Sequence, residues 1–489
     1  MGNRDSAVST TVDSDNPARD PVGTLANAPV GGSASAAPGA ARDDLVDRLL
    51  ATPKADVLAA SERYWNPSKT RFWTDAGTPL VIGERAGYLL HDLDGNTLVD
   101  VHLNGGTYNL GHRNPEVVAT LVAALAHLDI GNHHFAALGR AALSEALVTS
   151  GPIPDGKVTF GVGGGEAVDL ALKSARYATG RLKIVSAIGA FHGHTGLAVA
   201  AGNDRYADRF LAGRPDEFIR VPFNDLDAMA AALAGGDVAA VLLETIPATS
   251  GFVMPEPGYL AAVAKLCAAA GTLYIADEVQ TGLGRTGELW GITKHGVTPD
   301  ILVTGKGLSG GIYPVSATIL GPAAAGWLEE DGFAHISTFG GSDLGCVVGL
   351  RTLEITRRPA TRDRVDTLIR TFAEGLTAIA ADNPDWLVEI RQDGLVIGLR
   401  FDHPQGARFV SRRLYEHGIW AIFSALDPRV LQFKPGLLLS DELAADLLER
   451  TATAVRLAHQ DALSGVELAP DRAESRAMMA RPRAAGGPS

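Results

Sequence analysis

The chain has 489 residues, with 43 Lys+Arg against 56 Asp+Glu, a formal net charge of −13 and 46% hydrophobic residues. The apolar fraction excludes an intrinsically disordered chain, and the acidic balance argues against a nucleic-acid binder, which carries a basic surface. Two cysteines exclude a disulfide scaffold and suit a reducing, cytoplasmic compartment, and no apolar run approaches the ~18 residues of a membrane span.

Residues 1–44 are rich in Ala, Gly, Ser, Asp and Pro and are expected to form a disordered tail, as are residues 466–489. No basic start leads into an apolar stretch, so no secretory signal is expected; Met1–Ser6 fits the loose N-myristoylation pattern by chance. Residues 45–104 are expected to supply a helix and a strand pair with turns at Gly83, Gly87 and Gly95. From 105 to 344, apolar runs alternate with helical patterns. Val158–Val162 leads into the helix pattern Glu166–Tyr177, and Lys183–Ala187, Val238–Thr245, Thr272–Ala276 and Ile301–Thr304 are further β-rich runs. A helix over Gly258–Ala270 is closed by Gly271. This alternation predicts an α/β large domain whose central sheet is mostly parallel and flanked by helices. Residues 345–465 carry two or three helices around the short strands Leu395–Arg400 and Ile419–Phe423. They are expected to join 45–104 in a smaller α+β domain built from both chain ends.

Ligands of parallel sheets sit at the carboxyl ends of the strands, so the residues after each run are the candidates. Lys306 follows a buried run and is flanked by Gly305 and Gly307. It is either a solvated loop lysine or an amine placed to form a Schiff base with a carbonyl cofactor. The chain has only nine lysines, which shortens the list of catalytic amines. Asp277 ends the run Leu273–Ala276; a carboxylate there needs a partner, whether a helix cap, a salt bridge, a metal or a pyridinium nitrogen. Glu278 is expected to point the other way. Gly163-Gly164-Gly165-Glu166 links a strand to a helix and is either a plain tight turn or a phosphate site made by free amides. It is neither a dinucleotide fingerprint nor a P-loop, because the third glycine and the G-K-[ST] are missing. Phe191-His192-Gly193-His194 offers an aromatic for stacking; without a third ligand it is not read as a metal site.

Together these residues resemble the class III (subgroup II) pyridoxal-phosphate (PLP) aminotransferases of fold type I. The similarity runs from about Tyr64 to Leu457 and is strongest over Leu273–Gly311, with the ornithine aminotransferases particularly similar around Gly305–Ala317. Further landmarks occur in order: Asn109–His112, Glu166-Ala167, Phe191–Gly193, Glu244 and Thr338–Gly341. The resemblance implies PLP as cofactor, with Lys306 as the Schiff-base lysine and proton shuttle and Asp277 on the pyridine nitrogen. It implies Gln280 on the phenolic oxygen, Val279 under the ring, Phe191 and His192 beside it, and Gly164 and Gly165 on the phosphate. Glu244 stands where the family has an acid near the site. Thr338 would reach the phosphate of a neighbouring subunit, which implies a homodimer with shared sites. The implied substrates are a small amine or amino acid and an oxo acceptor, with no nucleic acid, membrane or metal involved.

Three departures stand out. Gly163-Gly164-Gly165 replaces the family's S-G-[ST], which removes hydroxyl contacts to the phosphate but keeps the amides. Ser342-Asp343 replaces Asn-Pro after Gly341. Gln432 stands where many members carry an arginine, and a neutral amide cannot clamp a carboxylate as a guanidinium does. Either Lys434 or Arg285 substitutes, or the substrate has no carboxylate at that place; the sequence favours the latter. The same departure keeps open a PLP-dependent lyase, racemase or carbon–carbon bond-forming enzyme on this scaffold.

Overall fold

The computed structural model describes residues 44–468, so most of the two expected tails, and the Met1–Ser6 pattern, lie outside the described residues. Two compact units divide at Gly83/Glu84. In the first, helices Asp44–Leu50, Lys54–Ala60 and Pro67–Asp75 follow one another, with a π-helical turn at Ser61–Trp65. Asn66 caps the last helix by accepting the Lys69 amide, at 3.0 Å, and Pro67 fills its first position.

The second unit holds a seven-stranded sheet: β1 (Lys157–Gly161), β2 (Lys183–Ala187), β3 (Phe218–Val221), β4 (Val238–Glu244), β5 (Leu273–Asp277), β6 (Ile301–Thr304) and β7 (Ser316–Leu320). Their spatial order is β1-β7-β6-β5-β4-β2-β3. Only β7 runs against the rest, pairing antiparallel with both β1 and β6. The expected mostly parallel sheet is therefore present. Two of its strands, β3 and β7, were not among the predicted runs.

Every residue of β4 is buried, because helices cover both faces of the sheet. One face packs Val185, Val241, Leu243, Tyr274 and Leu302; the other packs Ile184, Leu242, Ile275, Ile301 and Val303. Each such side chain contributes about 1.5–3 kcal/mol of burial. Helix Tyr259–Ala270 ends at Gly271, whose φ of 61° closes it in the left-handed conformation expected of that glycine.

A second layer draws on distant stretches of this unit. Leu89–Asp92 pairs antiparallel with Thr97–Asp100, and Ile419–Trp420 joins the latter in parallel. An antiparallel sheet of Leu387–Asp393, Val396–Phe401, Val430–Phe433 and Ile422–Phe423 packs with the helices Pro359–Asp382 and Asp441–Leu463 in one core that includes Tyr88, Val99, Phe372, Phe433 and Leu447. The Tyr88 hydroxyl ties the layers, donating to the Asn109 carbonyl and accepting the Leu438 amide, both at 2.9 Å. No helix among the described residues is long and apolar enough to cross a membrane.

Candidate active site

The register of the parallel strands builds the site. Glu244, the last residue of β4, sits opposite Asp277, the last residue of β5, and Asp277 sits opposite Val303 of β6. Two residues beyond β6 comes Lys306. Three chemically active side chains thus reach one sheet edge, where strand carbonyl ends and loop amides are free to meet a ligand.

A cavity opens there, lined by Gly164, Gly165, Phe191, His192, Gly193, Glu244, Ile246, Asp277, Val279, Gln280, Thr281 and Lys306. Nine residues singled out in the sequence meet in it. Thr338 does not: it is exposed, on a turn away from this cavity. Gly193 of the Phe191–His194 stretch lines it as well, together with Ile246 and Thr281, to which no pattern in the sequence pointed.

Asp277 is buried and held at both oxygens. Its Oδ2 accepts His192 Nδ1 at 2.8 Å and its Oδ1 accepts the Val279 amide at 3.1 Å. Glu244 accepts the amides of Phe191 (3.0 Å) and Ala248 (3.3 Å). Burial pushes its carboxyl up to about 7; Asp277 adds to that rise, while His192 and the two amides oppose it. Glu278 faces elsewhere, accepting the amides of Gly291 (2.8 Å) and Ile292 (2.9 Å). Burial lowers the affinity of the Lys306 amine for its proton, partly countered by Asp277 and Glu244. Lys306 also holds a φ of 38°, left-handed for a residue with a side chain, a strain of roughly 1–3 kcal/mol of the kind stored at functional sites.

The phosphate-type corner is equally specific. Helix Gly164–Thr179 begins at Gly163 with no side-chain cap, so its first amides have no side-chain acceptor. A Cβ on Gly193 would lie 2.6 Å from Gly165 Cα, and its φ is 122°, so this position needs glycine; a Cβ on Gly165 would lie 2.8 Å from Thr195 Oγ1. His192 Nε2 and Gln280 Oε1 are buried without partners. An uncapped helix start, a carboxylate, an amine, an aromatic and two unpaired polar atoms match the donor set that PLP requires. His192 and His194 do not act as a pair: His192 turns to Asp277, and His194 packs on Phe191 and Tyr206, with ring centroids 5.2 and 4.8 Å away.

A second wall was not foreseen. Leu103, Asn104, Gly105 and Gly106 all have positive φ, at 50°, 48°, 73° and 97°. Asp100 holds this turn: its Oδ1 accepts the amides of His102 (2.9 Å) and Leu103 (2.7 Å), and its Oδ2 accepts His112 Nε2 at 2.8 Å. The turn lays Gly105 against the lysine, where a Cβ would lie 2.9 Å from Lys306 Cε. The Gly105-Gly106 pair was the only signal for it.

Gln432 is buried and bound. Its Nε2 donates to the Ala248 carbonyl (3.0 Å) and to Ser424 Oγ (3.3 Å), and its Oε1 accepts Lys434 Nζ at 2.5 Å. Arg285 spends its guanidinium on the Pro435 carbonyl and on Asn109 Oδ1, and burial lowers it to about 10.

Glu244 gives a pH test. Because its folded pKa is raised, the folded state binds this proton more tightly than the unfolded chain does. The stability it contributes is present below about 4.5 and is lost as pH rises through about 7. Between those limits wild type should lose roughly 3 kcal/mol relative to Glu244→Gln, at about 1.4 kcal/mol per pH unit. Denaturant unfolding of the cofactor-free protein at several pH values measures it, and parallel curves would remove Glu244 as the buried acid.

Comparison with known proteins agrees with this geometry. The family described as aminotransferase class-III matches residues 73–455. An uncharacterized aminotransferase of Archaeoglobus fulgidus is 44% identical over 410 residues, covering 83% of this chain and 95% of that one. Among solved structures, the ornithine aminotransferase of Toxoplasma gondii, with partial occupancy of PLP at its active site, superposes with a TM-score of 0.77 at 27% identity, covering 85% of this chain and 97% of that one. The acetylornithine aminotransferase of Elizabethkingia anophelis gives 0.70 at 25% identity, covering 83% and 100%.

Proposed function

We propose, for a chain that belongs to the class-III aminotransferase family, that the cavity at the ends of β4, β5 and β6 is the active site and that Lys306 carries the cofactor. The protein is a PLP-dependent aminotransferase, moving an amino group from an amine or amino acid to an oxo acceptor. The observation that carries the site assignment is the meeting of Lys306, Asp277 and Glu244 in one cavity.

When bound, PLP supplies a carbonyl carbon for the substrate amine and a ring that withdraws electrons. The chain's own residues do the rest. Lys306 Nζ, its proton loosened by burial, takes the proton from the substrate's α-carbon and carries it for return. Asp277, fixed by His192 and by the Val279 amide, presents its carboxylate to the pyridine nitrogen. Glu244 braces the same corner through the Phe191 amide. Gly164 and Gly165 would hold the phosphate through their amides, Phe191 and Val279 would hold the ring, and Gln280 would serve the phenolic oxygen. All these cavity-lining residues fall between Gly164 and Lys306, which supports 105–344 as the cofactor-binding domain. The matched family and the named relatives lend no support to the lyase, racemase or carbon–carbon bond-forming fates.

The working unit is a homodimer in the cytoplasm. The free, buried thiols Cys267 and Cys346 support a reducing compartment. Around Thr338 the surface exposes Phe135, Leu138, Phe333, Ile336 and Phe339, each more than half accessible. So large an apolar patch favours a partner. Thr338 then completes the partner's phosphate site. Mixing inactive Lys306→Ala subunits with inactive Thr338→Trp subunits should restore activity, because one site of each mixed dimer is intact. No recovery after demonstrated subunit exchange would put Thr338 in the site of its own chain.

A further inference from the structure

The turn beside Lys306 is a strained piece of backbone to which the function above gives no role. Four consecutive residues, Leu103 to Gly106, hold positive φ, and two of them, Leu103 and Asn104, carry side chains. Side chains disfavour that conformation, so it persists only where the surroundings hold it. Asp100, the last residue of the strand Thr97–Asp100, is what holds it. Its Oδ1 accepts the amides of His102 and Leu103, the two donors at the entrance of the turn, and its Oδ2 accepts His112 Nε2. Asp100, His112 and Leu103 are all buried, where water does not compete for these bonds. Tyr108 closes the far side. Its ring lies on His112, with centroids 3.8 Å apart, and against Gly311, where a Cβ would fall 2.2 Å from Tyr108 Cδ1. The Gly105 amide donates to the His102 carbonyl at 3.0 Å, so the segment that Asp100 binds carries Gly105 directly. A Cβ on Gly105 would lie 2.9 Å from Lys306 Cε, 3.4 Å from its Cδ and 3.6 Å from Gln280 Oε1. The turn thus bounds the lysine shaft and the Gln280 side chain at once, from a strand outside the seven-stranded sheet.

We propose that Asp100 and His112 are positioning residues for Lys306: together they lock the left-handed turn that fixes the lysine shaft, and with it the direction of the amine. The inference rests on Lys306 carrying the cofactor, as proposed above. Neither residue lines the cavity, so the pair acts only through Gly105. Without Asp100 the amides of His102 and Leu103 lose their acceptor, the left-handed run relaxes and Gly105 leaves its place against the lysine. A displacement of about 1 Å at a reacting group costs up to about a hundredfold in rate. His112 makes the lock tolerant of one substitution. Its Nδ1 is buried without a partner, so the ring proton has no bond that fixes it to either nitrogen. An asparagine at position 100 keeps an oxygen for the two amides, and its NH2 donates to Nε2 once the ring proton sits on Nδ1.

The test uses the holoenzyme and three variants. Asp100→Ala should lower kcat roughly ten- to a hundredfold and change KM by less than about threefold, the pattern of a misaimed reacting group. In the same variant the absorbance of bound PLP should titrate at a higher pH than in wild type. Water that reaches the lysine nitrogen relieves the burial that disfavours its charge. Asp100→Asn should recover most of both values. Gly105→Ala leaves the lock intact but sets a methyl against Lys306 Cε, and should lower kcat about tenfold or more. Hydrogen exchange of the His102 and Leu103 amides should be slow in wild type and fast in Asp100→Ala. A wild-type kcat, an unmoved titration or slow exchange in Asp100→Ala would each overturn the proposal, as would an Asp100→Asn enzyme no better than Asp100→Ala. Should Asp100→Ala not fold, Gly105→Ala decides, and an undiminished kcat there sinks the idea. Borohydride labelling of wild type separates the two levels. Absence of label from Lys306 undermines the site assignment, and its presence with an unmoved kcat and titration undermines only the role of Asp100 and His112.

Discussion

Lys306→Ala is expected to fold normally, to bind PLP without a covalent link and to lose turnover by at least about 10²–10⁴-fold, the range a positioned acid–base group supplies. The side chain is buried at the sheet edge, with Gly105 against its shaft and two carboxylates felt by its amine. No other lysine lines the cavity. Alanine keeps the backbone but removes the cavity's amine, the group proposed to move the α-proton. Borohydride reduction of the wild type followed by peptide mapping should label Lys306. Lys434 is the natural rival, being also fully buried and close enough to repel Lys306, and label there would overturn the assignment. The melting temperature of Lys306→Ala serves as the control for folding.

The second large effect is expected for Asp277→Asn. An asparagine keeps an oxygen to accept from His192 Nδ1 or the Val279 amide, so the loop geometry should survive. It loses the negative charge proposed as the partner of the pyridine nitrogen. Charge-assisted hydrogen bonds are worth roughly 1.5–3 kcal/mol against about 1 for neutral ones, so PLP affinity should fall about tenfold or more. Proton abstraction should slow further, because the ring loses its pull on electrons. Spectral titration with PLP measures the first effect, and loss of deuterium from the substrate α-carbon measures the second. An unchanged exchange rate would leave Asp277 with a structural role alone, as anchor of His192 and cap of Val279.

Much of this protein was readable from its residues in order. β2 and β6 coincide with the runs Lys183–Ala187 and Ile301–Thr304, because a strand buried on both faces is mostly apolar. β3 escaped notice as a short edge strand with half-buried Ile219 and Arg220 at its centre, and β7 because Ser316-Ala317-Thr318 reads as a continuation of the glycine-rich loop before it. The glycines around Lys306 and at Gly163–Gly165 were legible, since turns and close backbone approaches need residues without a Cβ. Resemblance, carried by Leu273–Gly311 above all, turned those fragments into a named chemistry.

Local pattern thus gave five of the seven strands and the candidate amine and carboxylate, and resemblance gave the family. Tertiary structure alone decided what each charge faces. Strand register placed Glu244 beside Asp277, and a left-handed turn held by Asp100 set the wall above Lys306. Folding also buried Lys434 beside Gln432 rather than in solvent. The physical reason is that composition and local pattern fix which segments are buried, whereas the environment of a charge depends on groups brought together from distant positions. Lys434 meets Val101 and Phe252, and Gln432 meets Ala248, across separations that no local spacing records.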